Sequence, residues 1–308
     1  MIALWGLAGD GPLDAVADEL DRLGAPVFFL DQARTPATEL EFRVGPALSG
    51  ALRVGPNVVA LDAITAWYVR PHDASTAGDR WRLAGADDDH LRAVGDALAA
   101  WTEITPALVV NRLSAMAVNT SKPYQLRRIA ELGFAVPPTV VTTDPLTVQE
   151  FWRARGEVVY KSASGIRSTV ARLSSAHAER WADLSTSPTQ FQQRIVGTDV
   201  RVHVVGERTF AVEVLSDADD YRAPGAPMPS VRPTELPPPL AARCVDAART
   251  MGLHVAGVDL RRTRDGDWFC FEVNPSPAFT FYERAAGQPI AAAIARLLSE
   301  ARSIPPRR

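Results

Sequence analysis

Asp259, Glu272 and Asn274 crowd into the run AGVDLRRTRDGDWFCFEVNPS at 256–276. Three oxygen donors matter there only if the chain folds them together. The dipeptide Asp265–Gly266, between two runs of alternating apolar residues, predicts a β-hairpin with a two-residue turn. Folded symmetrically about that dipeptide, the ribbon sets Asp259 directly opposite Glu272. Two carboxylates roughly 5 Å apart on one face repel each other. Asn274, two residues beyond Glu272, projects from the same face. The other face carries Val258, Leu260, Phe271 and Val273, all apolar. One face therefore suits a core, and the other calls for a cation. Two carboxylates and an amide are hard oxygen ligands of the kind that hold Mg²⁺ shared with substrate phosphates. The competing reading is a solvated polar face that tolerates an acidic clash. A three-residue loop would shift the register by one and separate the acids.

The cations point the same way. Lys and Arg total 33, yet lysine occurs only at Lys122 and Lys161. A compact ammonium acts as a point charge on phosphate where a planar guanidinium fits poorly. Lys161 ends a predicted strand and opens the stretch SASG, which contains Ser164 and leaves backbone N–H groups available to phosphate oxygens. Lys122 falls near a predicted helix start, where the dipole favours an anion over a cation. A bound phosphate would reconcile the two. Taken alone, either lysine reads equally as an exposed solubilising residue.

The elements that must position these groups follow from periodicity. IALW (2–5) predicts a short buried strand, PLDAVADELDRLGA a helix closed at Gly24, and PVFFLD a second strand, a β-α-β opening. The intervening GLAGDG lacks the GxGxxG spacing and the P-loop lysine, and reads as a βα connection. A hairpin at 42–54, a strand in AITAWYVRP and a helix across about 86–103 complete an N-terminal α/β lobe. ALVVN (107–111) begins the next region. There KPYQLRRIAELGF predicts a helix closed by Gly133, PPTVVTTDP a strand, PLTVQEFWRARG a helix, and EVVYKSASG and STVARL two strands. The third region holds TQFQQRIVG, the alternating DVRVHVVGERTFAVEVLS turning at Gly206, and a Pro-rich stretch at 223–239 that reads as a loop. A helix at about 240–251 leads to the metal-type hairpin, and PIAAAIARLLSEA forms a terminal helix.

Composition removes several classes. The 308 residues suffice for two or three lobes, with 46% hydrophobic and 22% charged residues. A net charge of −3 without a long basic run gives no sign of nucleic-acid or membrane-surface binding. No run reaches the length of a membrane span, and the start lacks a signal-peptide pattern. Cytoplasmic localisation is therefore expected. Cys244 and Cys270 lack metal-ligand spacing and read as buried thiols, and the five histidines (72, 90, 177, 203, 254) read as structural.

In order along the chain, NTSKPYQLRRIAELGFAVPPTVVT, EVVYKSASG, FQQRIVGTDVRVHVVG, VAGVDLRR and FCFEVNPSP resemble the ATP-grasp superfamily. The likeness is to the RimK-type glutamate ligases and the related ligases that crosslink ribosomally made peptides. It covers about residues 107–300. The resemblance implies an α/β ATP-grasp fold, with an N-terminal α/β pre-ATP-grasp lobe (1–106) before two β-rich lobes (107–191 and 192–308) that clasp ATP. It implies that Lys122, Lys161 and Ser164 contact the phosphates, and that Gln192, Gln193, Arg194 and Ile195 form a hinge whose backbone reads adenine. Asp259, Glu272 and Asn274 would hold two Mg²⁺ ions, or Mn²⁺, with Glu272 bridging. Arg201 and Arg222 would steady the transferred phosphoryl group and the acyl phosphate. The sequence departs from the family pattern in SASGIRSTV, which has one glycine, in QQRI, where an acidic residue often follows the first Gln, and at Pro224, where an Asn is usual.

The implied activity is an ADP-forming ligation of a carboxylate to an amine, on amino-acid or peptide substrates, with a homodimer as one possible assembly. Three other readings stand beside it: a peptide-crosslinking ligase that forms ester or amide macrocycles, a small-molecule kinase of the same fold, and a nucleotide-binding regulatory module. Trp67, Arg70, His72 and Asp73 in the N-terminal lobe, and Ser276 and Glu283 after the metal residues, are further candidates for substrate contact. Phe279, Phe281 and Tyr282 read as packing residues.

Overall fold

A computed structural model describes residues 1–33, 38–72, 88–163, 170–216 and 227–301. The chain divides into two compact units. One comprises Met1–Met116, Gly252–Val255 and Ser276–Arg308, and the other comprises Ala117–Met251 and Ala256–Pro275.

The first unit opens β1 (Ile2–Gly6), α1 (Gly11–Arg22), β2 (Val27–Asp31), with β1 and β2 parallel in register Ile2↔Val27 to Gly6↔Asp31. Asp10 caps α1 by accepting from the Leu13 backbone, and Pro12 sits in the first turn, where its missing N–H costs nothing. Leu13, Val16 and Leu20 bury one stripe of the helix, and Gly24 ends it in the left-handed conformation at φ 63°. The expected hairpin at 42–54 is larger than its pattern. β3 (Thr38–Arg43), β4 (Ser49–Val54) and β5 (Asn57–Ala60) form a three-stranded antiparallel sheet. β6 (Ala66–Arg70) pairs parallel with β1, α2 spans Asp88–Ile104, and β7 (Leu108–Val110) pairs parallel with β6. The parallel sheet runs β2-β1-β6-β7. Trp5, Leu52, Leu61, Trp67, Leu98 and Trp101 pack one core against it. Full burial of side chains this large contributes on the order of 2 kcal/mol each.

The second unit begins with α3 (Lys122–Glu131), ended by Gly133 at φ 82°. β8 (Thr139–Thr142), α4 (Pro145–Arg155, capped by Asp144), β9 (Val158–Ser162), β10 (Ala171–Arg172) and β11 (Thr189–Gln193) follow. They build an antiparallel sheet ordered β10-β9-β11-β8 around Val148, Val158, Leu173 and Phe191. The strand expected in STVARL is described only at Ala171–Arg172. β12 (Thr198–Val205) and β13 (Arg208–Leu215) form a hairpin about Gly206 as expected. The stretch 223–239, expected to be a loop, contains β14 (Ser230–Thr234), whose edge position against β13 tolerates Pro233. Its last residues already start α5 (Pro238–Thr250). β15 (Val255–Arg262) and β16 (Trp268–Asn274) complete a five-stranded sheet ordered β14-β13-β12-β15-β16.

The chain then returns to the first unit as α6 (Thr280–Ala286) and α7 (Ile290–Ser299). α7 lies against α1, and its Ile290, Ile294 and Leu298 are fully buried. Phe279 and Tyr282 are buried, as packing residues should be. Cys244 and Cys270 are free, buried thiols. Among the described residues, no helix is long and apolar enough to cross a membrane.

Candidate active site

The acidic hairpin sets the geometry of the site, and it reaches the expected pairing by an unexpected route. Thr263 pairs with Asp267, and the Gly266 N–H donates to the Thr263 carbonyl, so the loop has three residues, not two. Gly266 takes φ 91°, the conformation that closes a three-residue loop. Such a loop displaces the register by one, and Arg262 faces Trp268, Arg261 faces Phe269, and Leu260 faces Cys270. A bulge then absorbs Phe271, and beyond it Asp259 faces Glu272, Val258 faces Val273 and Gly257 faces Asn274. The two acids meet because two irregularities cancel.

The bulge also corrects the expected apolar face. Val258, Leu260 and Val273 are buried there, but Cys270 takes the fourth place, fully buried. Phe271 instead lines a cleft together with Asp259 and Glu272. That cleft is walled by Val159, Lys161 and Val170 from the central sheet, by Gln192–Ile195, and by Asp199, Val200, Arg201 and Arg261 from the five-stranded sheet.

Arg201 is almost wholly buried, and its Nη1 donates to Asp259 Oδ1 at 2.6 Å. One guanidinium therefore offsets part of the repulsion between the acids. Its Nε lies 3.4 Å from the Nε2 of the buried His203. Lys122 is the first residue of α3, and its Nζ lies 3.5 Å from the Ser162 carbonyl, one residue past Lys161. Burial pulls the Lys122 ammonium below the ordinary lysine range, while the nearby charge of Glu272 pulls it back up. Both lysines and both carboxylates thus belong to one neighbourhood of the second unit. The donor set fits a hard divalent cation: two facing carboxylates, with the Asn274 amide two residues further along the same strand.

The segment Gln192–Ile195 links β11 to β12. The Gln193 N–H donates to the Pro138 carbonyl and the Arg194 N–H to the Glu157 carbonyl. Gln192 is buried, with its amide donating to Thr139 Oγ1. Two contributors escaped the sequence reading. Phe271 was assigned to the wrong face because a bulge leaves no mark in an alternating pattern. Gln190, directly opposite Lys161, is fully buried and neither atom of its amide has a hydrogen-bond partner. Ser164, Arg222, Pro224 and Asp73 lie outside the described residues.

The remaining candidates have partners within the first unit. Trp67 is core. Arg70 donates to both oxygens of Asp10 and, at 2.9 Å, to Ser276 Oγ, while His72 Nε2 lies 2.9 Å from Asp10 Oδ2. Burial would raise the Asp10 carboxyl, but the charge and hydrogen bonds of Arg70, with those of His72 and Leu13, hold it below the usual range. Burial pushes the Tyr68 hydroxyl up to about 12. Glu283 accepts from the Ala291 N–H at 2.8 Å and so caps α7.

Known proteins are similar to this chain in sequence and in fold. A family model for the RimK-like ATP-grasp domain matches residues 182–298. A probable alpha-L-glutamate ligase of Cellvibrio japonicus is 36% identical over 36% of this chain, a match spanning 37% of that protein. One from a Picosynechococcus species is 27% identical, covering 67% of this chain and 72% of the relative. The solved ATP-grasp ligase PsnB, complexed with a minimal precursor, superposes with TM-score 0.78 at 26% identity over 96% of this chain and 98% of PsnB. The macrocyclase MdnC of Microcystis aeruginosa, bound with its precursor peptide MdnA, gives TM-score 0.78 at 20% identity over 97% and 99% of the two chains, a likeness of fold. The chain has the ATP-grasp fold, and its residues 182–298 match the RimK-like ATP-grasp domain.

Proposed function

We propose that this protein is an ATP-dependent, ADP-forming ligase that activates a carboxylate as an acyl phosphate and joins it to an amine carried by an amino acid or peptide. The observation that carries the reading is the cleft itself. Facing carboxylates, a buried guanidinium, Lys161 and the Gln192–Ile195 segment line one cavity.

The chemistry follows from charge. A free carboxylate resists attack because its leaving group would be oxide, and phosphorylation turns that oxygen into a good leaving group. Phosphoryl transfer depends on positioning and on neutralising the charge of the moving group. Asp259, Glu272 and Asn274 would hold two Mg²⁺ ions, or Mn²⁺ in their place. When bound, the metal supplies positive charge across the triphosphate. Lys122 and Lys161 present ammonium groups to phosphate oxygens as point charges. Arg201, held by Asp259, keeps a fixed guanidinium at the reacting end. The backbone of Gln192–Ile195 receives the base, and Arg222 would meet the acyl phosphate.

A peptide substrate is favoured over a free amino acid. Structures of PsnB with precursor peptide, and with Mg and ADP, align over 96% of this chain at 25–26% identity. Glutamate as substrate is the second reading, and the curated relatives support it. An ADP-release assay tests both. A ligase releases ADP only when Mg²⁺, a carboxylate and a nucleophile are all present. ADP release that ignores the nucleophile would make the protein a kinase. Turnover with glutamate alone, and none with acidic peptides, would reject the peptide reading.

A further inference from the structure

Arg261 has no place in the scheme above, yet it holds more of the cleft together than any other single side chain described there. Its Nε and Nη2 donate to the two carboxylate oxygens of Asp199 at 2.7 and 2.8 Å. Its Nη1 donates to the backbone carbonyl of Ile195 at 2.8 Å. Its guanidinium lies over the ring of Phe271, 5.1 Å from the centroid. Each partner comes from a different piece of the cleft: the start of β12, the β11–β12 segment, and the bulge of β16. A planar guanidinium meets two of them through its N–H edges and the ring through its face, a combination that a compact ammonium does not offer.

A second feature shows that this joint is built. Gly197 packs so closely on β15 that a Cβ there would overlap the carbonyl oxygen of Arg262 and come within 3.1 Å of Arg261 Cγ. The segment that would receive the base is therefore seated on β15 by backbone contact as well as by the guanidinium. Arg261 is also two residues from Asp259, on the same face of the same strand. The strand that carries the metal-side carboxylate thus carries the clamp on the base-side segment.

We propose that Arg261 is a positioning residue for nucleotide: it fixes the Ile195 carbonyl and the Phe271 ring relative to Asp259, two residues away on the same strand. This rests on the ATP-binding reading above, and sharpens it. The base pocket and the triphosphate end are set in one register by one side chain, so losing that side chain harms ligands that span both ends. Ligands that occupy only the metal end are spared.

Calorimetric titration of the full chain with Mg·ADP and with Mg·tripolyphosphate, which has no base, tests this. For Arg261→Met the Kd for Mg·ADP rises at least tenfold, while that for Mg·tripolyphosphate stays within about twofold of wild type. Arg261→Lys keeps the charge but not the fork, and gives an intermediate loss for ADP; it also serves if the methionine variant folds poorly. Asp199→Asn, which leaves Arg261 in place with a weaker anchor, raises the ADP Kd by about threefold. Equal weakening for both ligands, or an unchanged ADP Kd in both Arg261 variants, overturns the positioning role and leaves the ATP-grasp reading intact. A wild-type protein that binds neither ligand overturns both.

Discussion

The two hairpins of the five-stranded sheet start from similar alternating patterns and end differently. β12–β13 keeps one register from Asp199↔Val214 to Val205↔Arg208 and closes on Gly206, at φ 56°. β15–β16 closes on three residues, shifts by one, and shifts back at a bulge. In the regular hairpin the charged residue turned away from the cleft, Glu213, is buried between Arg232 and Arg262. In the irregular one Asp259 and Glu272 face each other across the strands. The regular ribbon brings Asp199 and Arg201 to the cleft by simple alternation along one strand. The other ribbon must set two carboxylates face to face and turn one aromatic ring into the cleft, and it breaks its register to do so.

That contrast fails first at the acids, where the effect is largest. Asp259→Asn and Glu272→Gln each lower Mg²⁺-dependent ADP release about a thousandfold. Their effects on the metal-free protein differ. Asp259→Asn leaves the buried Arg201 without its carboxylate and lowers stability by about 3 kcal/mol. Glu272→Gln relieves repulsion and leaves the melting temperature unchanged or higher. Similar melting temperatures for both variants would show that Arg201 is indifferent to its partner.

Thiol labelling tests the shifted register next to the loop. In the ribbon that a two-residue turn would give, Cys270 would stand opposite Arg261, on the cleft face. In the bulged ribbon it is fully buried, with its thiol raised well above the ordinary range by burial, and Cys244 is raised to about 12 for the same reason. A thiolate-directed reagent at pH 8 should therefore label the native protein at least about a hundredfold more slowly than the unfolded chain, which exposes both thiols. Rapid labelling of Cys270 in the native state would rule the shifted register out.

Around Glu213, which β13 turns away from the cleft, the expected loss is confined to stability. Changing Arg232 and Arg262 together to Met leaves the Glu213 carboxylate, 4% exposed, without a guanidinium and costs about 3 kcal/mol in denaturant unfolding. Adding Glu213→Gln should recover most of that loss, and Mg·ADP affinity should stay within about twofold throughout. The smallest effect belongs to the turns. Gly206→Ala and Gly266→Ala each force a Cβ into the left-handed region at about 1 kcal/mol. Only Gly266→Ala should also weaken Mg·ADP binding, by about two- to threefold, because its loop sets the register of the acids.

Much of this was legible in the sequence, for physical reasons that can be named. The facing of Asp259 and Glu272 followed from a turn signal and period-two alternation. The scarcity of lysine marked Lys122 and Lys161, which the fold brings to one neighbourhood of the second unit. What stayed hidden was whatever depends on one-residue offsets or on distant partners. Alternation placed Phe271 on the apolar face, because two compensating shifts leave the outer pairs unchanged. Proline content hid β14, because an edge strand needs only some of its N–H groups. The pairing of Arg70 and His72 with Asp10, sixty residues away, has no local signature. Arg261 was one of 31 arginines until its three partners were seen together.

The course of the chain has a consequence for how the protein is made. The first unit is completed only by Gly252–Val255 and by the segment from Ser276 onward, which supplies α7 to the exposed flank of α1. During synthesis α1 emerges before the second unit, and α7, which packs against it, emerges after that unit. The cleft of the second unit leaves the ribosome before α7 can pack on α1. A stop placed after Pro275 should therefore spare the β15–β16 ribbon while leaving α1 without the helix that packs against it.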